Sequence, residues 1–163
     1  MRALLLTREY PPHIYGGAGV VVDQLTQALK RRMGVEVRCF GERSPTDDGV
    51  TVRGYTPWDR LKAGKDGQPR FAPALETLSI GLAMARDNVD ADVVHAHTWY
   101  ADMAGVWIRM LHRIPLIVTL HSMEPLRPWK ADQLGSGYLL STWIEKTAVE
   151  AADRVIAVSA KMR

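Results

Sequence analysis

The alternation of short strand-like runs with longer amphipathic segments is the feature of this sequence that most constrains its fold. Runs typical of strands occur at residues 3–7, 35–40, 50–55, 92–97, 115–120 and 155–158. Segments with helical spacing occur at residues 18–32, 73–89, 101–112 and 139–152. Strands that alternate with helices predict an α/β fold, with a doubly wound, mostly parallel Rossmann-like sheet and helices on both faces. Ligands of such sheets bind beyond the carboxyl ends of the strands.

The length, composition and charge of the chain exclude several classes of protein. The chain has 163 residues, 47% of them apolar and 24% charged, which is typical of one globular domain over residues 1–163. Its net charge of +3 is scattered along the chain, so nucleic acid is not a predicted partner. A single cysteine, Cys39, excludes an intrachain disulfide and favours a reducing compartment. The apolar start is too short for a membrane span or a signal peptide, and we predict a cytoplasmic protein without a membrane partner.

The first candidate motif is the glycine-rich stretch Tyr15-Gly16-Gly17-Ala18-Gly19, between the first predicted strand and the first predicted helix. Glycine lets backbone amides approach a ligand closely, and the amino end of a helix favours anions, so a phosphate or diphosphate is a natural ligand. A flexible turn with positive φ explains the same glycines equally well. The stretch lacks the third glycine of the dinucleotide motif G-x-G-x-x-G, which leaves NAD a weak alternative, and no Gly-Lys-Ser/Thr of a Walker loop follows.

Histidines end two neighbouring predicted strands. His95 and His97 share one face of their strand by its two-residue period, and His121 follows the next apolar strand. Three histidines at one sheet edge are consistent with a metal site, because catalytic zinc is bound by three protein ligands. The favoured interpretation is that His97 and His121 hydrogen-bond a polar ligand and that His95 is structural.

The loop at residues 121–130 carries two cations, Arg127 and Lys130, together with Glu124, two prolines and a tryptophan. Arginine and lysine together suit a phosphate or a polyhydroxyl ligand. Prolines reduce the conformational freedom that is lost on binding. The alternative is a rim loop with ordinary surface charges.

Taken together, these motifs resemble the N-terminal domain of retaining glycosyltransferases with the GT-B architecture. The opening Leu5-Leu6-Thr7-Arg8-Glu9-Tyr10-Pro11-Pro12 and the glycine stretch are similar to the start of bacterial glycogen synthases. His95-Ala96-His97-Thr98-Trp99-Tyr100 and Thr119-Leu120-His121-Ser122 follow in the expected order. The run Glu124-Pro125-Leu126-Arg127-Pro128-Trp129-Lys130 resembles the actinobacterial branch of glycogen synthases and α-maltose-1-phosphate synthases.

This resemblance implies two Rossmann-like domains with the active site in the cleft between them. Residues 1–163 would be the N-terminal, acceptor-side domain, and the C-terminal donor domain would be absent. The implied reaction moves glucose from ADP-glucose, with retention of the α configuration, to glucose 1-phosphate or to an α-1,4-glucan in glycogen biosynthesis. ADP-glucose would be a substrate, and neither a metal nor another cofactor is implied. The family's cations and paired glutamates lie mostly in the second domain, so we expect residues 1–163 alone to be inactive.

The resemblance also implies roles for individual residues. Gly16 and Gly17 would approach the donor diphosphate, and His121 would be the catalytic residue that contacts the transferred sugar. Further substrate contacts, mainly to the acceptor, are expected from Glu9, Tyr10, Tyr15, His97, Arg127 and Lys130. Thr98 replaces the acid that other bacterial starch and glycogen synthases carry after His-Ala-His, which favours glucose 1-phosphate over a glucan.

Two other classes of function fit parts of the sequence. One is a stand-alone Rossmann-like binding module for a phosphorylated sugar or a partner chain, without catalysis. The other is a metal hydrolase that uses His95, His97 and His121. The first hypothesis, a part of a glucosyltransferase, is favoured because Ser159 is a candidate helix N-cap and residues 160–163 would only open the next helix.

Overall fold

The computed structural model describes residues 1–43, 46–47, 49–61, 71–131 and 137–162. The strands are β1 (Arg2–Leu6), β2 (Gly34–Phe40), β3 (Thr46–Asp47), β4 (Thr51–Tyr55), β5 (Val93–His97), β6 (Leu116–Leu120) and β7 (Arg154–Ala157). The longer helices are α1 (Gly17–Leu29), α2 (Ala72–Arg86), α3 (Trp99–His112) and α4 (Gly137–Ala151). Short 3₁₀ turns cover Asp59–Leu61, Glu124–Leu126 and Ala160–Met162. In this described part of the chain, no helix is both long and apolar enough to cross a membrane.

The strands form one sheet in the order β3-β4-β2-β1-β5-β6-β7. Every neighbouring pair is parallel except β3 with β4. The predicted Rossmann-like, mostly parallel α/β sheet is therefore confirmed. β1 pairs with β2 on one edge and with β5 on the other. The strand order thus reverses between β1 and β5, which leaves a crevice at their carboxyl ends.

The two faces of the sheet are covered by different helices. Leu5 belongs to a buried cluster with Val22 of α1, whereas Leu4 and Leu6 belong to a second cluster with residues of α2, α3 and α4. Successive residues of a strand point to opposite faces, as this division requires. Because Leu5 is in register with His95, both His95 and His97 lie on the α1 side of the sheet.

The buried face of α1 differs from the one that its apolar residues predict. Their spacing predicts that Val21, Leu25, Ala28 and Leu29 share one face. Leu25 and Leu29 do pack against the buried cluster of Leu5 and Val22. In the structure Val21 and Ala28 are exposed, while Val22 and Thr26 are fully buried. A polar residue is tolerated inside because Thr26 Oγ1 donates a hydrogen bond of 2.8 Å to the Val22 carbonyl oxygen.

Candidate functional site

Three loops meet at the crevice between β1 and β5. The carboxyl ends of β1, β5 and β6 lie side by side. They bring together the loop at residues 7–19, here called the glycine loop, the start of α3, and the loop at residues 121–131. These are the loops in which the sequence places its candidate residues.

The glycine loop binds an anion from its own chain. One carboxylate oxygen of Glu9 accepts hydrogen bonds from the backbone amides of Tyr15, at 2.9 Å, and Gly16, at 2.8 Å. Gly16 immediately precedes α1, which has no acidic residue in its first turn. The carboxylate thus lies at the amino end of a helix, where the helix dipole favours negative charge. The loop has the geometry of an anion-binding site, and Glu9 occupies it.

Two of the three glycines in this loop face open space. A Cβ atom at Gly17 would meet nothing within 4 Å, and one at Gly16 would come no closer than 3.9 Å to the Glu9 carboxylate. Gly19 differs, because a Cβ atom there would lie 2.9 Å from the Glu9 Cβ. None of the three glycines has a positive φ. A turn with positive φ, the alternative explanation of this stretch, therefore does not account for them. Gly19 is required for packing, while Gly16 and Gly17 keep a surface open to a ligand.

The three histidines converge and are linked by hydrogen bonds. His97 Nδ1 and His121 Nε2 are 3.1 Å apart, and His95 Nε2 is 2.7 Å from Thr119 Oγ1. The ring centroids of His95 and His97 are 4.2 Å apart. His95 and His97 are buried, whereas His121 is half-buried. The two buried rings therefore support His121, the histidine that is accessible at the crevice.

Burial makes all three rings neutral at pH 7. Desolvation lowers the pKa of His95 to about 4 and the pKa of His97 well below its usual value. Burial also lowers the pKa of His121, although the nearby Glu9 carboxylate opposes this effect. A neutral imidazole donates through one nitrogen and accepts through the other. His121 is therefore a hydrogen-bonding group and not a cation.

The arrangement of the three histidine rings bears on the metal-site hypothesis. Within the described ranges, no group of three or more His, Cys, Asp or Glu side chains is placed to hold one ion. The rings bond to one another and to Thr119 instead of facing a common point. The metal-hydrolase hypothesis thus finds no support in the described part of the chain.

Both cations of the loop at residues 121–131 are paired with a buried carboxylate. Glu124 is 1% exposed and accepts a hydrogen bond of 2.6 Å from Lys130 Nζ. Arg127 Nη1 lies 3.8 Å from the same oxygen and donates to Ser122 Oγ at 3.2 Å. The two charges that the resemblance assigns to the acceptor therefore have an internal partner. This pairing indicates a structural role, most clearly for the largely buried Lys130.

The two tyrosines assigned to the acceptor lie in different environments. Tyr10 is buried and belongs to the hydrophobic cluster around Leu5 and Val22. Burial raises the pKa of its hydroxyl. Tyr15 is 79% exposed, at the rim of a pocket. The structure therefore brings Tyr15 to the site and places Tyr10 in the core.

A pocket of about 700 Å³ opens beside the glycine loop. It lies at the carboxyl ends of β1, β2 and β4 and at the first turns of α2 and α3. The rings that line it are those of Tyr15, Phe40, Tyr55, Phe71, Trp99 and Tyr100, and we call it the aromatic pocket. Arg8 also lines it. No sequence pattern predicts a role for Arg8, Trp99 or Tyr100, and their only signal is their place within the motifs that carry the resemblance.

The junction of β5 and α3 holds two further unusual residues. Thr98 has φ 66° and ψ 155°, a region that β-branched residues avoid. Asp102 is fully buried, and neither of its carboxylate oxygens has a hydrogen-bond partner among the described residues. Burial, with a contribution from Glu145, raises the pKa of Asp102 well above its usual value. Backbone strain and perturbed acids concentrate at functional sites, and both are found at this junction.

Solved structures of other proteins share this fold. Sucrose-phosphate synthase from Thermosynechococcus elongatus matches with a TM-score of 0.65 and 16% identity, covering 99% of this chain and 43% of that one. An α,α-trehalose-phosphate synthase from Burkholderia vietnamiensis matches with a TM-score of 0.55 and 17% identity, covering 95% of this chain and 39% of that one. At these identities the likeness shows the fold alone. The fold is thus that of a Rossmann-like α/β domain of the GT-B architecture.

Sequence comparison identifies the family. The model of Glycosyltransferase Family 4 matches residues 15–163, and this chain belongs to that family. It is 50% identical over 163 residues to the α-maltose-1-phosphate synthase of Mycobacterium tuberculosis and 47% identical to that of Mycolicibacterium smegmatis, covering all of this chain and 39% of each relative. A glycogen synthase of Mycobacterium tuberculosis is 27% identical over 183 residues, covering 99% of this chain and 43% of the relative. The chain thus spans about two-fifths of these relatives and corresponds to their N-terminal part.

Proposed function

We propose that this chain is the N-terminal, acceptor-side domain of a retaining glucosyltransferase that moves glucose from ADP-glucose to glucose 1-phosphate and so forms maltose 1-phosphate. An α-1,4-glucan is the alternative acceptor. The donor domain would lie outside residues 1–163, since the chain spans 39% of the α-maltose-1-phosphate synthases that it resembles. The observation that carries the proposal is the glycine loop, whose amides hold a carboxylate beside two glycines that face open space.

The donor diphosphate would replace the Glu9 carboxylate on the glycine loop. The amides of Tyr15 and Gly16 already donate to an anionic oxygen at 2.9 and 2.8 Å, distances that suit a phosphate oxygen as well. The missing Cβ atom at Gly17 lets the diphosphate approach the amino end of α1. Amides aimed at the departing diphosphate stabilise the negative charge that develops during transfer.

His121 would contact the transferred glucose. Its Nε2 is engaged with His97, which leaves Nδ1 for a substrate oxygen. A neutral ring suits this position, because an imidazolium would repel the positive charge that develops on the sugar in an oxocarbenium-like transition state. His97, which is buried and does not face the crevice, is then a positioning residue that holds the His121 ring.

The acceptor preference rests on Thr98. This residue is uncharged at the point where the resembled starch and glycogen synthases of other bacteria carry an acid. An acid there would repel a phosphorylated acceptor, whereas a hydroxyl does not. The higher identity to the α-maltose-1-phosphate synthases than to the glycogen synthase supports the same preference.

The proposal is tested with the protein as encoded by its gene, supplied with ADP-glucose and either glucose 1-phosphate or glycogen. Phosphorus and proton NMR should detect maltose 1-phosphate with the new linkage in the α configuration. Gly17→Ala should raise KM for ADP-glucose by about tenfold or more, the loss expected when a charged hydrogen bond is blocked. It should leave the free energy of unfolding within about 0.5 kcal/mol, because the added Cβ meets no protein atom within 4 Å.

Gly81→Ala in α2 is the matched control, since its Cβ would make an ordinary contact of 3.4 Å with Trp107 of α3, away from the glycine loop. It should change neither KM nor activity. Transfer to neither acceptor would contradict the proposal. Binding of ADP-glucose without transfer would favour the binding-module hypothesis, and activity that is lost with EDTA and restored by zinc would favour the metal hypothesis.

A further inference from the structure

One residue of the loop at residues 121–131, Glu124, is held by three side chains of α4. Its buried backbone amide donates a hydrogen bond of 2.7 Å to Glu145 Oε2. The Tyr138 hydroxyl donates to the Glu124 carbonyl oxygen at 2.9 Å, and Ser141 Oγ donates to Glu124 Oε2 at 3.1 Å. These three side chains share one face of the helix, because they are spaced by three and four residues. This face of α4 therefore fixes Glu124 at its amide, its carbonyl and its carboxylate.

Glu145 supplies the acceptor that the Glu124 amide needs. Glu124 begins a 3₁₀ turn, so its amide has no acceptor within that turn, and the preceding Met123 provides no side-chain cap. Glu124 is 1% exposed and Glu145 is 5% exposed, so water has little access to this bond. A buried amide without an acceptor is unfavourable. The place of Glu124 in the fold thus depends on the Glu145 carboxylate.

The short segment between the end of β6 and Glu124 carries His121. Strand β6 ends at Leu120, and His121 lies three residues before Glu124. Three residues span at most about 11 Å. One end of the segment is fixed by the sheet and the other by α4, and Met123 between them packs against the hydrophobic core. A displacement of Glu124 would therefore move the backbone of His121.

The position of the His121 ring depends on two supports. His97 Nδ1 lies 3.1 Å from His121 Nε2 and orients the ring, whereas α4 fixes the backbone through Glu124. We propose that Glu145 is a positioning residue for His121: through the Glu124 amide, it fixes the segment that presents the His121 ring to the transferred sugar. This inference rests on the proposed function, in which His121 contacts that sugar. Glu145 is buried and acts through Glu124, not by contact with a substrate.

Steady-state kinetics of the protein as encoded by its gene, with two substitutions of Glu145, test the inference. Glu145→Leu removes the acceptor and should lower kcat by about 10- to 100-fold, the loss that a displacement of about 1 Å can cause. KM for ADP-glucose should stay within about threefold, because the glycine loop is unchanged. Glu145→Gln keeps an acceptor oxygen and should keep kcat within about threefold of the unmodified protein.

A double-mutant cycle separates the positioning of His121 from a general effect on the fold. In a His121→Ala background, Glu145→Leu should lower kcat by less than about twofold further, because the ring that it displaces is absent. Glu150→Leu is the matched control, since Glu150 lies on the same helix in an exposed pair with Lys146, and it should leave kcat unchanged.

Three results would overturn the inference. They are an unchanged kcat in Glu145→Leu, losses that multiply in the double variant, and a Glu145→Gln variant as impaired as Glu145→Leu. If Glu145→Leu does not fold, Glu145→Asp takes its place, because it withdraws the carboxylate from the Glu124 amide by one methylene group. Glu145→Asp should lower kcat by about three- to tenfold, again only when His121 is present, and an unchanged kcat would overturn the inference as well.

Failure of this inference is distinguishable from failure of the proposed function. If the unmodified protein transfers glucose to no acceptor, the proposed function fails, and NMR of the histidine Cε1–H groups tests the positioning separately. The His121 signal, assigned by its loss in His121→Ala, should shift in Glu145→Leu or Glu145→Asp. The signals of the exposed His13 and His112 should not shift. A shift confined to the His121 region would retain Glu145 as a positioning residue, and an unmoved His121 signal would remove that role.

Discussion

Replacing Lys130 by methionine should destabilise the protein strongly, because it would leave the buried carboxylate of Glu124 without its cation. Lys130 Nζ and Glu124 Oε1 are 2.6 Å apart, with side chains 15% and 1% exposed. At that distance an effective dielectric constant of about 20 gives a gross attraction of about 6 kcal/mol, which desolvation of both charges offsets in part. Breaking a buried pair by removing one partner costs about 3–5 kcal/mol.

We expect the lower end of that range, about 3 kcal/mol. Ser141 Oγ still donates to Glu124 Oε2 at 3.1 Å. Arg127 Nη1, 3.8 Å from Oε1, can move closer and supply part of the missing charge. A loss of about 3 kcal/mol is a large fraction of the 5–15 kcal/mol that stabilises a typical domain.

Urea unfolding followed by circular dichroism measures this loss, provided that the dependence on urea concentration is the same for each variant. Lys146→Met is the control, since Lys146 and Glu150 form an exposed pair at 3.8 Å and such pairs contribute about 0.3–0.5 kcal/mol. Adding Glu124→Gln to Lys130→Met should recover much of the lost stability, because no charge then remains buried. A Lys130→Met variant as stable as the Lys146→Met control, with a raised KM for the acceptor, would refute the structural role and restore Lys130 to the substrate site.

Three further predictions follow from the same region of the structure. Burial raises the pKa of Glu145 from 4.5 to about 7, so the folded chain keeps a proton that the unfolded chain releases between pH 4.5 and 7, and this group lowers the free energy of unfolding as pH rises through that window. Glu145→Gln should remove this loss in urea titrations at pH 5 and 8, and equal pH dependence of the two proteins would contradict the prediction. Thr98→Gly should raise the free energy of unfolding by about 1 kcal/mol, because relief of the strain at φ 66° outweighs the greater entropy of glycine in the unfolded chain. A lower melting temperature of the variant would show instead that the Thr98 side chain stabilises the junction. Purified residues 1–163 should show no turnover of ADP-glucose above that of their His121→Ala variant in a radiochemical assay, and turnover above that background would show that this domain holds the whole catalytic machinery.

Local patterns in the sequence predict most of the fold. The six parallel strands and the four longer helices occur where their periodicity places them, with ends displaced by at most three residues. Strand β3 was missed because its two residues are too few to show a two-residue period. The prediction for the buried face of α1 was wrong in part because it was based on apolar residues, and Thr26 is polar. In the structure the Thr26 hydroxyl is hydrogen-bonded within the helix, so this residue can be buried.

The candidate site is predictable only where its geometry is local. The contact between His97 and His121 can be predicted, because the two residues end β5 and β6, which the alternating pattern makes neighbours in the sheet. The two-residue period of a strand gives the face on which His97 lies. The pairing of Lys130 with Glu124 does not follow, because it lies in an irregular loop and depends on burial under α4. The position of Arg8 over the Tyr100 ring is likewise a tertiary property that local sequence patterns do not show.

The charges at the crevice divide into those that hold the fold and those that remain for ligands. Lys130 and Arg127 neutralise a buried carboxylate, whereas Arg8 is held over a ring and the glycine loop holds only the carboxylate of Glu9. In the proposed function, binding of a donor diphosphate to that loop would be an exchange of one anion for another. We expect this exchange to be favourable, because Glu9 is only half-buried and can return to water, while a diphosphate would bring more charge to the same amides. Glu9 thus keeps the loop in its anion-binding shape without competing strongly for it, which explains why a carboxylate occupies a site where phosphate would be expected.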